Sequence, residues 1–153
     1  MKVLGIRVDP KKTMYALVEY DGDDFTLSNA TTEARLLYPA NVSDPDEKVD
    51  WLYRELERVL HENQAIEKVC IKTNEYTQSD SKSKRESAYL EGAVLLFCRK
   101  NNLPVTVKIY ASLATKSAEV KHHAEQRVGR TAKYWDSKMA DAVIAAWNGA
   151  RNQ

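Results

Sequence analysis

Apolar and polar positions alternate with a period of two over residues 2–9, KVLGIRVD. Leu4, Ile6 and Val8 share one face, and Val3, Gly5, Arg7 and Asp9 the other. That period predicts a strand. TMYALVEY at 13–20 predicts a second, joined to the first through DPKK as a hairpin. After the DGDD turn signal, FTLSNATTEARLLY supplies a third, so three antiparallel strands open the chain. A helix follows, with Asp44 as N-cap, Pro45 at the first helical position and Glu47 completing a capping box. Val49, Leu52, Leu56, Val59 and Leu60 then recur at helical spacing as far as Glu62-Asn63-Gln64.

KVCIK at 68–72 predicts a short buried strand. The polar run TNEYTQSDSKSKRE leads to a helix around 86–100. Its apolar stretch from Ala88 to Cys98 is expected on the sheet, with Gly92 allowing close approach. LPVTVKIYA (103–111) reads as a fifth strand, and basic helical sequence fills about 115–128 before GRTAKYW breaks it. The last helix is SKMADAVIAAWNGA, ended by Asn148-Gly149. This order predicts an α/β fold with a mixed five-stranded sheet, three antiparallel N-terminal strands and then two more, and helices on both faces. One domain covers residues 1–153.

Composition narrows the class. Hydrophobic content of 43% with 29% charged residues is that of a soluble globular protein. No apolar run approaches the ~20 residues of a membrane span, and Arg7 and Asp9 interrupt the only short apolar run near the N-terminus. The expectation is a cytoplasmic protein without a membrane partner. Cys70 and Cys98 lie inside apolar runs and read as buried free thiols. His122-His123, adjacent rather than four apart, reads as surface. The net charge of +1 hides a gradient: residues 1–75 carry 10 Lys+Arg against 15 Asp+Glu, and residues 76–153 carry 13 against 7. A basic half is either the footprint of a polyanion or an ordinary solvated helix surface.

Asp141 stands in MADAVIAAW, where Ala140, Val143, Ile144 and Trp147 form an apolar stripe. A carboxylate at the margin of that stripe needs a partner, since burying an unpaired charge costs several kcal/mol. A metal ion and a salt bridge both answer that need.

Three strings, in order, resemble the RNase H-like superfamily, and within it the RuvC-type Holliday-junction resolvases, in a small bacterial branch. LGI followed by Thr13 and Tyr15 looks like their opening hairpin. LEGAVLLFCRKNNLPV looks like their helix-then-strand segment, and MADAVIAAW like the start of their final helix. The resemblance implies an RNase H-like sheet. It also implies acids from the first strand, the strand at 68–72 and the last helix, gathered around two Mg²⁺ or Mn²⁺ ions for phosphodiester cleavage. It further implies DNA or RNA as partner, and a homodimer.

Position by position, the family's first acid falls on Arg7, the second on Lys72 and the third on Lys138; only Asp141 matches. Each cation has an acid nearby: Asp9, Glu75 and Asp136. Glu67 is a rival for the second acid but lies at the wrong end of its strand. Two readings follow. In one, Asp9, Glu75 and Asp141, with Asp136 as a further candidate, form a displaced metal site and a divalent-metal-dependent endonuclease acts on branched or structured DNA. In the other, Arg7, Lys72 and Lys138 replace the metals, leaving a non-catalytic nucleic-acid-binding or protein-interaction module. Lys82, Lys84, Arg85, Lys116, Lys121, Arg130 and Lys133 are candidate phosphate contacts, with Tyr76, Tyr134 and Trp135 as stacking aromatics or half-buried anchors. A sugar-kinase-like phosphate loop in the opening hairpin is disfavoured by lysines where glycines belong.

Overall fold

The computed structural model describes residues 1–152. Strands β1 (Lys2–Arg7), β2 (Lys12–Tyr20), β3 (Phe25–Leu27), β4 (Arg35–Leu37), β5 (Ile66–Lys72) and β6 (Val105–Lys108) form one sheet. Its helices are α1 (Pro45–Glu62), α2 (Lys82–Lys100), α3 (Val120–Arg127) and α4 (Ser137–Arg151), with a short 3-10 helix at Tyr110–Leu113. The strand order is β3-β2-β1-β5-β6, and β4 also pairs with β2. The β1–β2, β2–β3 and β2–β4 pairs are antiparallel, while β5 runs parallel to β1 and β6 parallel to β5.

The sheet has six strands rather than the expected five. The FTLSNATTEARLLY segment gives two short strands on β2 instead of one long one. Asn29 is the reason. Its side-chain oxygen accepts from Leu17 N–H at 2.9 Å, and its amide donates to the carbonyls of Tyr15 and Glu33. This buried side chain takes over ladder hydrogen bonds at Tyr15, Leu17 and Glu33 while the backbone turns away.

Alternation along β1 sorts two cores. Leu4, Ile6 and Val8, with Leu17 and Leu36, face α1 and α2 through Leu52, Leu56, Leu90, Val94 and Phe97. Val3, Met14, Ala16 and Val18 face α4 through Met139, Ala142, Val143 and Ala146. On that second face β1 and α4 meet almost backbone to backbone. A Cβ on Gly5 would strike the Ala142 carbonyl and lie 2.6 Å from Ala146 N, and one on Gly149 would lie 2.7 Å from Val3 Cγ1.

Gly149 therefore packs inside α4, which continues to Arg151 instead of ending at Asn148-Gly149. Gly92 also departs from expectation: it faces solvent with nothing within 4 Å of a Cβ. Tyr89, Leu95 and Leu96 share the exposed side of α2. The predicted 115–128 helix shortens to α3, and the 103–111 strand to β6, because Tyr110 turns into the 3-10 helix. Both cysteines are buried free thiols. Among the described residues no helix is long and apolar enough to cross a membrane.

Candidate functional site

α4 runs antiparallel to β1, so its N-terminal turn lies over the strand's C-terminal end. Two residues along a strand advance about 6–7 Å, and four along a helix about 6 Å, so successive outward positions on β1 meet successive turns of α4. Gly149 lies on Val3, Ala146 and Ala142 on Gly5, Asp141 on Arg7, and Lys138 on Asp9. The two glycines bring the backbones close; the charges follow from that register.

Asp141 is 1% exposed, deeper than the core margin expected for it. Arg7 Nε donates to its Oδ2 at 3.0 Å, and the Tyr110 hydroxyl donates to its Oδ1 at 2.7 Å. Burial pushes this carboxyl above the usual range, against the Tyr110 hydrogen bond and the charges of Arg7 and Lys72. Arg7 itself is 9% exposed, and its Nη1 is buried without a hydrogen-bond partner.

Lys72 ends β5 beside Arg7. At 1% exposed it is a fully buried ammonium group. Its Nζ donates to the Thr73 carbonyl at 2.5 Å, pairs with Glu75 Oε2 at 3.1 Å and lies 3.9 Å above the Tyr110 ring. Burial, and then repulsion from Arg7, hold its pKa below the ordinary lysine value. Glu75 Oε2 also accepts the Tyr110 backbone N–H at 3.1 Å. Across the cleft, Glu91 accepts from the Thr73 hydroxyl at 3.0 Å, its Oε2 is buried and unpartnered, and burial raises its pKa.

The third cation, Lys138, pairs with Asp9. Burial pushes the Asp9 carboxyl up, but the Lys138 hydrogen bond, the Lys11 N–H and the charges of Lys138 and Lys12 outweigh it, so its pKa is lowered. Asp136 is the N-cap of α4 and accepts Met139 N–H at 2.9 Å. Glu67 is exposed at the start of β5, away from the Lys72 end.

Asp9, Glu75 and Asp141 thus lie around one end of the sheet, each held by a different cation, and do not converge on one point. Among the described residues no group of three or more His, Cys, Asp or Glu side chains is placed to hold a metal ion. A pair of divalent ions does not fit this arrangement. Two buried cations, Arg7 and Lys72, would repel them at close range, and the Asp141 oxygens are already hydrogen-bonded.

The candidate phosphate contacts divide into three sets. Lys82, Lys116, Lys121 and Lys133 are exposed. Arg85 pairs with Asp80 and Arg130 with Glu125. Lys84 ties the loop before α2 together through Thr77 and Ser79. Of the aromatics, Tyr76 is 78% exposed, Tyr134 lies under Arg35, and Trp135 donates to Glu125. Tyr110 and Glu91 were not among the residues singled out by sequence. Tyr110 reads there as a strand residue, whereas Glu91 carried a signal, a lone carboxylate in the apolar run LEGAVLLF.

A mixed sheet opened by an antiparallel hairpin, with its charged end beneath the first turn of the last helix, is the architecture of an RNase H-like α/β fold. The solved structures it resembles make the likeness narrower. Thermus thermophilus RuvC in complex with Holliday junction substrate superposes with a TM-score of 0.76 at 20% identity, covering 97% of this chain and 92% of that one. Another Thermus thermophilus RuvC structure gives 0.76 at 19% with the same coverage. The yeast mitochondrial Holliday junction resolvase Ydc2 gives 0.64 at 18%, over 97% of this chain and 77% of that one. No family model and no curated protein matches the sequence. The fold is therefore that of the RuvC-type RNase H-like proteins.

Proposed function

We propose that this protein binds branched or structured DNA through a resolvase-type fold and does not cut it by the two-metal route. The buried Arg7–Asp141 pair carries the reading. It sets a buried guanidinium where the resemblance implies the first metal-binding acid. Exposed Lys82, Lys116, Lys121 and Lys133 supply backbone attraction, in which phosphate neutralisation dominates affinity. The likeness to RuvC bound to a Holliday junction suggests a branched duplex as substrate in preference to RNA. Tyr89, Leu95 and Leu96 on α2 give the expected self-association an apolar surface.

The test is binding and cleavage of a four-way junction by the full chain, in chelator and then in Mg²⁺ or Mn²⁺. Retarded, uncut junction under all three conditions is the expected result. Mn²⁺-dependent cleavage abolished by Asp141→Asn would instead establish the endonuclease reading, with Asp9, Glu75 and Asp141 recruited as ligands. Absence of any binding to junction or duplex DNA would overturn both.

A further inference from the structure

Lys72 and the Tyr110 backbone form a built anion seat in which the Glu75 carboxylate stands. One oxygen, Glu75 Oε2, receives both the Lys72 ammonium group and the Tyr110 backbone N–H, each at 3.1 Å. Arg7 belongs to the same pocket through Asp141, which also accepts from Tyr110, and its Nη1 has no partner. The seat therefore offers two donors to one oxygen, with the Arg7–Asp141 pair behind them.

Charge balance sharpens the assignment. Arg7 is neutralised by Asp141, which leaves Lys72 in need of one negative charge. Glu75 supplies it from an irregular loop, and its side chain is 44% exposed where that of Lys72 is 1% exposed. A buried ammonium group held by a half-exposed, loop-borne carboxylate can exchange that partner for another monoanion without a net change in buried charge. A phosphodiester carries the same single charge and an oxygen that can accept the same two donors.

We propose that Glu75 is a displaceable stand-in for a backbone phosphate, and that Lys72 and the Tyr110 N–H take the phosphodiester of a bound DNA strand when Glu75 swings out. This inference rests on the DNA-binding reading above and names the place where that strand is gripped. The cleft beside the seat, ≈ 210 Å³ and lined by Thr73, Asn74, Glu75, Thr77 and Glu91, gives Glu75 room to move. Glu91 faces the same cleft and would oppose an anion when ionised. Its carboxylate is tied to the Thr73 hydroxyl at 3.0 Å.

Glu75→Gln separates the two claims. It keeps the shape of the side chain and removes the competing charge. With inorganic phosphate as probe, the full-length variant is expected to bind about tenfold tighter than the wild type, read by titration and by the shift of the Tyr110 amide resonance. Lys72→Met added to Glu75→Gln is expected to abolish that gain. On junction DNA, Lys72→Met added to Glu75→Gln should flatten the salt dependence of binding by about one phosphate contact relative to Glu75→Gln alone. Phosphate affinity unchanged in Glu75→Gln, or a gain that survives Lys72→Met, overturns the seat; an unchanged salt slope overturns its assignment to nucleic acid. Should the double variant fail to fold, the Tyr110 amide shift in Glu75→Gln decides alone. A wild type that binds no DNA defeats the functional reading while leaving the phosphate titration to judge the seat.

Discussion

Asp141 has the heaviest demands of any acid in the chain, because it is buried and its two oxygens serve different elements: Arg7 on β1 and Tyr110 at the start of the 3-10 helix. Arg7→Ala removes the cation and leaves the carboxylate buried, so the variant is expected to lose about 3–5 kcal/mol of stability. Lys72→Met leaves only the half-exposed Glu75 unpaired, lays an apolar chain on the Tyr110 ring and relieves the repulsion from Arg7; a change below about 1 kcal/mol is expected. Urea denaturation of the two variants measures the contrast. Equal losses would mean that the pair is ornamental. Part of this was readable in advance: an aspartate in an alanine-rich core stripe demands a partner, and the cations at positions 7, 72 and 138 stood out against the RuvC-type pattern. Which cation meets which acid was not readable, since that depends on how far α4 slides along β1.

That slide is fixed at the scale of elements, by glycine. Gly5 lets β1 meet the α4 backbone, and Gly149 makes room in α4 for the Val3 side chain. Gly5→Ala would force the helix off the strand, with an expected loss of about 3 kcal/mol or more. Gly92→Ala, on an open helical surface, should gain about 0.5–1 kcal/mol. Thermal or urea melts of the two substitutions check the opposite signs. Periodicity predicted most helices and strands, because alternation and helical spacing are local. It placed the close approach at Gly92 because a glycine amid apolar residues looks the same whether the helix turns it inward or outward. It also missed the division of the third strand, where a single side-chain amide, Asn29, replaces backbone pairing.

For the whole molecule, a RuvC-like fold carries Arg7, Lys72 and Lys138 at positions where the sequence resemblance led to an expectation of acids. If that is a change of residues and not of scaffold, Arg7→Asp, Lys72→Glu and Lys138→Asp together should create Mn²⁺ binding that the wild type lacks. Calorimetry on the folded triple variant checks this, and a folded variant that binds no Mn²⁺ would show that the backbone has also moved. The seam between β1 and α4 has a last consequence. Its two ion pairs point in opposite directions, with cation on the strand and acid on the helix at Arg7–Asp141, and acid after the strand with cation on the helix at Asp9–Lys138. Two antiparallel dipoles side by side make a quadrupole, whose field dies away far faster with distance than that of a lone charge. The seam is therefore nearly invisible to a polyanion at long range. Under the DNA-binding reading, the exposed lysines would draw a strand in, and the interior would be felt only on contact.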